Sequence, residues 1–248
     1  MRLAQYLRAK AAHALGKRAS LAPTIAKAID ETGQQLAKEY AQGHISGAEY
    51  TREHMPNPEG FFDNVRGYTG KLSQQQVDSI NAILKAGSHW PLGWMAYALA
   101  TAWHESRFLP IREKGGNKYL SKYDTGRLAR ILGNTPEADG DGILYAGRGF
   151  VQLTGRTNYD SAGEALGLDL LDQPDLALDI PTAARILVWG MEGGEFTGRR
   201  LSHYIIGNGN HDAFVRARRI INGTDRAELI AGHADRFADA LMEGGWSN

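Results

Sequence analysis

Apolar residues recur at helical spacing along most of the chain. Leu3, Leu7, Ala11, Ala14 and Leu15 form one stripe, and Ile25, Ile29, Leu36 and Tyr40 form another. Both are thin and alanine-rich, which predicts small helices that dock on something larger. Pro23 stands near the start of the second, where its fixed φ and missing N–H suit the first helical turn. The segments Met55-Pro56-Asn57-Pro58-Glu59-Gly60 and Gly67-Tyr68-Thr69-Gly70 then interrupt the pattern. They place a boundary between about 56 and 71 and divide the chain into a small helical N-terminal region, 1–66, and a larger body, 67–248.

The pattern strengthens from Lys71. Ser73 reads as the N-cap of a helix carrying Val77, Ile80, Ile83 and Leu84. A second helix is predicted from about Pro91 to His104, through Met95, Ala98, Leu99 and Ala102. Residues 110–150 lose periodicity and gain Gly, Lys, Asp and Asn, which predicts a long loop region with short elements. Such a stretch inside a compact domain is usually functional. Helical patterns return at 159–167, 181–190, 212–221 and 225–242, and the one candidate strand is Phe150-Val151-Gln152-Leu153. The predicted fold is mainly α.

Composition narrows the functions open to such a fold. Hydrophobic residues make up 42% and charged ones 23%, enough for a core and too apolar for general disorder. Lys plus Arg equals Asp plus Glu at 28 each, so no global field draws a nucleic acid. The absence of cysteine excludes a disulfide scaffold, thiol catalysis and Cys-ligated zinc. No apolar run approaches the roughly 20 residues of a membrane-spanning helix. The first residues are basic (Arg2, Arg8, Lys10, Lys17, Arg18) but lack the apolar core of a signal peptide. A solvated helix face is the simpler reading of that charge than a membrane-binding one. The expectation is a monomer made in the cytoplasm without a secretion signal of its own.

Two segments could carry chemistry. In Ala102-Trp103-His104-Glu105-Ser106-Arg107-Phe108, Glu105 shares the edge of the apolar face of Ala98 and Ala102, close to where Pro110 must end the helix. Half-burial among Trp103, Phe108 and Leu109 would suit a general acid. An ion pair with Arg107 or Arg112 is the plainer structural alternative, and on this segment alone it is favoured. His104-Glu105 does not extend to the zinc pattern H-E-x-x-H, because position 108 is Phe. Asp139-Gly140-Asp141-Gly142 opens like a calcium loop, yet Ile143 takes the third ligand position and no acid stands at the twelfth. Neither a GK[ST] phosphate loop nor a GxSxG elbow occurs, and no metal or cofactor is expected. The second segment runs from Tyr145 to Tyr159. Its glycines permit close backbone approach, Gln152, Thr154 and Asn158 offer amides and a hydroxyl to sugars or water, and its terminal aromatics offer flat faces.

His104-Glu105-Ser106 resembles the H-E-T/S segment of glycoside hydrolase family 19. The stretch Tyr145-Ala146-Gly147-Arg148-Gly149-Phe150-Val151-Gln152-Leu153-Thr154 through Asn158-Tyr159 resembles that family's Y-x-G-R-G-x-x-Q-L-[ST]…N-Y signature. Ile220-Ile221-Asn222-Gly223-Thr224 resembles its I-I-N-G-G mark, with Thr224 in place of the second Gly. The runs Leu99–Phe108 and Arg218–Asp225 are most similar to the lysozyme-like branch found in bacteriophage endolysins.

The resemblance implies a lysozyme-like α-helical catalytic domain with a deep substrate groove. It makes Glu105 the general acid, Glu113 the general base and Thr154 the residue that positions the attacking water. Gln152, Asn158, Asn222 and Tyr145 become substrate-binding residues, and Glu137, Asp139 and Asp141 remain substitutes for the base. An inverting mechanism needs its two carboxyl groups about 6.5–9.5 Å apart, to leave room for the water. The implied activity is a muramidase cutting the β-1,4 bond of bacterial peptidoglycan, which reaches the wall from the host cytoplasm through a holin-type pore or with the virion. A chitinase, a lytic transglycosylase and a non-catalytic wall-binding virion component are the alternatives. For residues 1–66 the alternatives are a wall-binding module and a helical brace.

Overall fold

The centre of the fold is a helix apolar on nearly every side. In the computed structural model, which describes residues 47–135 and 137–247, this helix is Leu92–Ser106, here α4. Its residues Met95 to Ala102 are all buried. A helix that is apolar all round must be enclosed by others, and here these are supplied from both directions along the chain. Preceding it are α1 (Gly47–His54), α2 (Pro58–Thr69) and α3 (Gln74–Ala86). Following it are the short helices α5 (Gly116–Leu120), α6 (Gly126–Leu132) and α7 (Asp141–Leu144). Then come α8 (Arg156–Leu166), α9 (Ile180–Gly193), α10 (His211–Ala217) and α11 (Ala227–Gly244). The fold is mainly α, as the periodicity predicts.

The long amphipathic α11 lies between α4 and α2, while α3 packs on α1 and α9. Ser73 caps α3 in a reciprocal box with Gln76, each side chain bonding the other's backbone N–H. Helix α4 ends in two consecutive left-handed residues, Arg107 and Phe108. The Phe108 N–H returns to the Ala102 carbonyl at 3.2 Å and its ring is fully buried, which ends the helix one turn beyond Glu105.

Helices predicted at 159–167, 181–190 and 225–242 correspond to α8, α9 and α11. The pattern at 212–221 is divided, with α10 giving way to a 3-10 turn at Arg218–Ile220. The predicted strand at 150–153 is not one. The strand is Arg148–Gly149 (β2), paired antiparallel with Ile111–Arg112 (β1), and Phe150–Leu153 is a turn that brings Leu153 back onto Arg148. Alternating polarity there records the turn, in which Gln152 takes a left-handed φ of 54°. The predicted stripes at 3–15 and 25–40 lie outside the described residues.

The compact unit that holds these elements runs from Gly47 to Asn248. Residues 47–66, assigned from sequence to the N-terminal region, bury Met55, Phe61, Phe62 and Val65 in its core. Helix α2 packs on α11 and α1 on α3, so this stretch packs as part of the larger body.

Helix α10 is pinned to α11 by His211, whose Nδ1 meets Asp235 at 2.6 Å and whose Nε2 meets Glu228 at 3.1 Å. Hydrogen bonds to these two carboxylates raise the His211 pKa above its ordinary value. Its stabilisation is therefore complete below about pH 6.5, the unfolded-state value, and lost as pH rises through the folded-state value. Thermal midpoints followed upward from pH 6 should decline, and His211→Gln should flatten that decline.

Candidate active site

The candidate residues gather into two clusters, one at each end of the segment linking α4 to β2. The first surrounds Glu105 in the last turn of α4. Its side chain is 22% exposed, and its Oε1 accepts from Arg218 Nη1 at 2.7 Å. Arg218 is 2% exposed and donates a second bond, from Nε to the Asp225 carbonyl. The apolar pocket expected for Glu105 is therefore closed by a buried cation. An uncompensated carboxylate at that depth is costly, and a guanidinium reached from 113 residues away along the chain compensates it. Neither predicted partner is used. Arg107 lies over the Trp103 ring at 4.4 Å, and Arg112 donates to the Ile143 carbonyl. Asn222 is tied to the same cluster through its backbone N–H, which donates to the Arg218 carbonyl at 2.9 Å, and its side chain is exposed.

Behind Glu105 lies a histidine pair. The His104 and His233 rings are 6.0 Å apart, and His233 Nδ1 bonds the Tyr68 hydroxyl. Burial, reinforced by His104 and Arg107, lowers the His233 pKa to about 4, and burial lowers that of His104 as well. A depressed folded-state value stabilises fully above the unfolded value near 6.5 and loses that contribution as pH falls through about 4. Stability should therefore fall on acidification from pH 6.5 to 4, and His233→Gln, read by thermal melts, should reduce the slope.

The second cluster closes on Gly147. The Glu113 N–H donates to the Gly147 carbonyl at 2.7 Å, and the Gly147 N–H returns to Glu113 Oε2 at 3.3 Å. Glu113 Oε1 accepts from the Tyr123 hydroxyl at 3.0 Å, and burial raises the pKa of that phenol, which keeps it a donor. A methyl group on Gly147 would lie 2.9 Å from Gln152 Oε1, 3.1 Å from Thr154 Oγ1 and 3.2 Å from Glu113 Oε2. Three oxygens from two stretches of chain, the Gln152–Thr154 turn and the segment at Glu113, thus face one backbone position that only glycine leaves open.

The orientation of each oxygen is fixed. Gln152 Nε2 donates to the Ile111 and Gly149 carbonyls, which turns Oε1 inward. Thr154 gives its proton to the Gln152 carbonyl at 2.8 Å, so its Oγ1 faces Gly147 as an acceptor. Asn158 bonds the Thr154 carbonyl at 2.7 Å and holds this turn in place. Tyr145 is placed otherwise than expected. It is 5% exposed, packed on Tyr159, with its hydroxyl on the Leu171 carbonyl, so it supports the turn from inside and offers no face to a sugar.

Gly147→Ala should fill the space between the three oxygens and lower turnover about 100-fold, the scale of a 1 Å misplacement of catalytic groups. The fold should survive, because the methyl meets side-chain oxygens rather than packed backbone. Kinetics and melting curves on the same preparation check both halves of this expectation.

Sequence reasoning missed Arg218 and Tyr123. Arg218 carried a faint signal, being a charged residue between Ala217 and Ile220 on an otherwise buried stripe. Of the proposed substitutes for Glu113, Asp139 bonds Thr135 Oγ1 and Asp141 accepts from the Thr135 N–H at the start of α7. Among the described residues no group of His, Asp or Glu is arranged to hold a metal ion. A cavity of about 900 Å³ lies beside β1 and the 3-10 turn Pro174–Leu178, lined by Arg112, Arg148, Asp175 and Asp179 among others, and includes none of Glu105, Glu113 or Thr154.

A family model for chitinase class I, glycoside hydrolase family 19, matches residues 68–195, which include both Glu105 and the Gly147 cluster. The chain belongs to this family. Among its relatives, Chitinase 11 of Oryza sativa subsp. japonica is 33% identical over 121 residues, 40% of this chain and 47% of the rice protein. A glycosyl hydrolase family 19 domain-containing protein of Haemophilus influenzae is 39% identical over 61 residues, 25% of this chain and 30% of that one. The chain thus spans less than half the length of either relative. The crystal structure of chitinase C from Streptomyces griseus HUT6037 aligns with 79% of this chain and 91% of its own, at 20% identity and a TM-score of 0.42. No phage endolysin is among these relatives.

Proposed function

We propose that this family 19 protein is a glycoside hydrolase that cleaves β-1,4 bonds of an N-acetylhexosamine polymer with inversion, and that its substrate is bacterial peptidoglycan. The observation that carries the catalytic reading is the set of three inward oxygens at Gly147. Glu113 Oε2, Thr154 Oγ1 and Gln152 Oε1 converge on the Gly147 backbone, and a water bound beside them would find acceptors in these oxygens. It donates both protons to them and keeps a lone pair for the anomeric carbon. Ionised Glu113 takes one proton as the carbon–oxygen bond forms, which is the task of a general base. Glu105 must first take up a proton on the oxygen that Arg218 leaves free, and then passes it to the departing glycosidic oxygen. With its Oε1 held by Arg218, Oε2 is the oxygen that serves the leaving group.

Peptidoglycan is favoured over chitin by the sequence runs Leu99–Phe108 and Arg218–Asp225 and their likeness to the endolysin branch. The chitinase reading is favoured by the names of the relatives. Mass spectrometry of products from purified sacculi and from chitin oligomers separates the two. Muropeptides with reducing N-acetylmuramic acid ends support the muramidase, and 1,6-anhydro ends would replace it with a transglycosylase. Cleavage of chitin alone would assign the protein to the chitinases, and cleavage of neither would leave a binding role.

A further inference from the structure

The short elements that follow Glu113 carry an uneven charge. The chain is neutral overall, yet between Glu113 and Glu137 five cations, Lys114, Lys118, Lys122, Arg127 and Arg130, stand against one acid, Asp124. Asp124 is buried, and its Oδ1 accepts from the Gly142 N–H at 2.7 Å, which engages it in joining the 3-10 turn Ser121–Tyr123 to α7. The cations are exposed, apart from the half-buried Lys122. Among the described residues none of the five forms an ion pair.

This lobe is built onto the candidate base. Lys122 Nζ lies 3.3 Å from the centroid of the Tyr119 ring and 4.5 Å from that of Tyr123, whose hydroxyl donates to Glu113. Asn134, just past α6, donates to the Tyr123 carbonyl and accepts from the Arg156 N–H, two residues beyond Thr154. The lobe is thus fastened to the Gly147 cluster both at Glu113 and at the start of α8. Like charges so grouped raise a common field that reaches about 10 Å at moderate ionic strength. It acts on an anion without requiring that any one side chain point at it.

We propose that this lobe binds the carboxylates on the peptide branches of peptidoglycan and so selects that polymer over chitin. Chitin is uncharged, whereas peptidoglycan carries carboxylate-bearing peptides on its muramic acid units. A cationic lobe attached to the base meets those branches as the glycan lies across Glu113. A lipid surface would also match the charge, and the exposed Tyr119, Leu128 and Ile131 would suit it. A lipid anchor, however, gains nothing from being fastened to the residue that activates the water. The proposal rests on peptidoglycan as the substrate and names the part of it that the lobe reads.

The test compares the full wild-type chain with Lys118→Gln/Arg127→Gln/Arg130→Gln on purified sacculi, on sacculi whose carboxylates are capped as methylamides, and on chitin oligomers. The three positions are exposed and outside both catalytic clusters, so melting temperature and turnover of chitin oligomers should not change. On native sacculi the variant should need about tenfold more substrate for half-saturation, the combined scale of three exposed ion pairs, with kcat unchanged. Salt raised from about 0.05 to about 0.5 M should bring the wild type to the same level, by screening. On capped sacculi the two proteins should be alike. A variant that matches wild type on native sacculi, or that loses equally on native and capped sacculi, overturns the proposal and leaves the peptidoglycan reading standing. Binding to phosphatidylglycerol vesicles that the variant loses, with its cleavage of sacculi intact, overturns it in favour of a lipid surface. A wild type that cuts chitin oligomers and no sacculi removes the peptidoglycan reading and the proposal with it.

Discussion

Glu105→Gln should lower turnover of the natural polymer by about 10²–10⁴-fold, the range supplied by a positioned general acid. The amide keeps an oxygen for Arg218 Nη1, so the 2.7 Å contact and the fold should persist in neutral form. What is lost is the proton for the leaving oxygen. An oligomer ending in a nitrophenyl group departs without that proton, and on it Glu105→Gln should retain most of the wild-type rate. Glu113→Gln should behave differently, being slow on both substrates, because the water needs its base whatever leaves. A Glu105→Gln protein equally impaired on the activated substrate would remove Glu105 from the role of acid. A loss below tenfold for Glu113→Gln would move the base to Glu137, Asp139 or Asp141.

Arg218→Met should be the most damaging change to the fold near the site. It leaves the partly buried Glu105 carboxylate without its cation and the Asp225 carbonyl without its donor. Breaking one half of a fully buried ion pair costs about 3–5 kcal/mol, and the 22% exposure of Glu105 reduces this to about 2–3 kcal/mol. Activity should fall with it, since the acid loses the group that orients it. The double variant Glu105→Gln/Arg218→Met should regain part of the stability while remaining inactive, because no charge is then left unpaired. Denaturant melts of the four proteins form a cycle that isolates the pair. Strict additivity in that cycle would mean that Arg218 acts on the fold independently of Glu105. Arg218→Lys should rescue poorly, since an ammonium is a point charge and cannot reproduce the fork that reaches both Glu105 and Asp225.

These expectations separate what the residue order encodes from what folding adds. Local features were legible. The capping box of Ser73 and Gln76 and the all-apolar course of α4 follow from neighbours within a turn or two, where spacing alone decides which side chains meet. The segments that bear Glu105, Gln152, Thr154 and Asn158 were legible as family motifs through resemblance, which also suggested Glu113; periodicity pointed only to a carboxylate at a helix end.

The errors share one cause. Phe150–Leu153 alternates like a strand, yet Leu153 pairs back onto Arg148, and which backbone groups pair is not written in the alternation. Tyr145 has the composition of a sugar platform, but Tyr159, fourteen residues on, takes its ring into the core. Residues 47–66 were set apart from the body by the turn-rich segments at 55–60 and 67–70, yet Met55, Phe61, Phe62 and Val65 lie in its core.

By itself, then, the sequence determined a mainly helical chain of this family, without cysteine chemistry, and the short motifs that bear its acids and amides. Only the tertiary structure decided that Arg218 faces Glu105, that Tyr123 holds Glu113, and that three oxygens converge on Gly147. The first joins groups 113 residues apart through the packing of helices, and the others depend on how the loops between α4 and α8 fold back on one another, which no periodicity records.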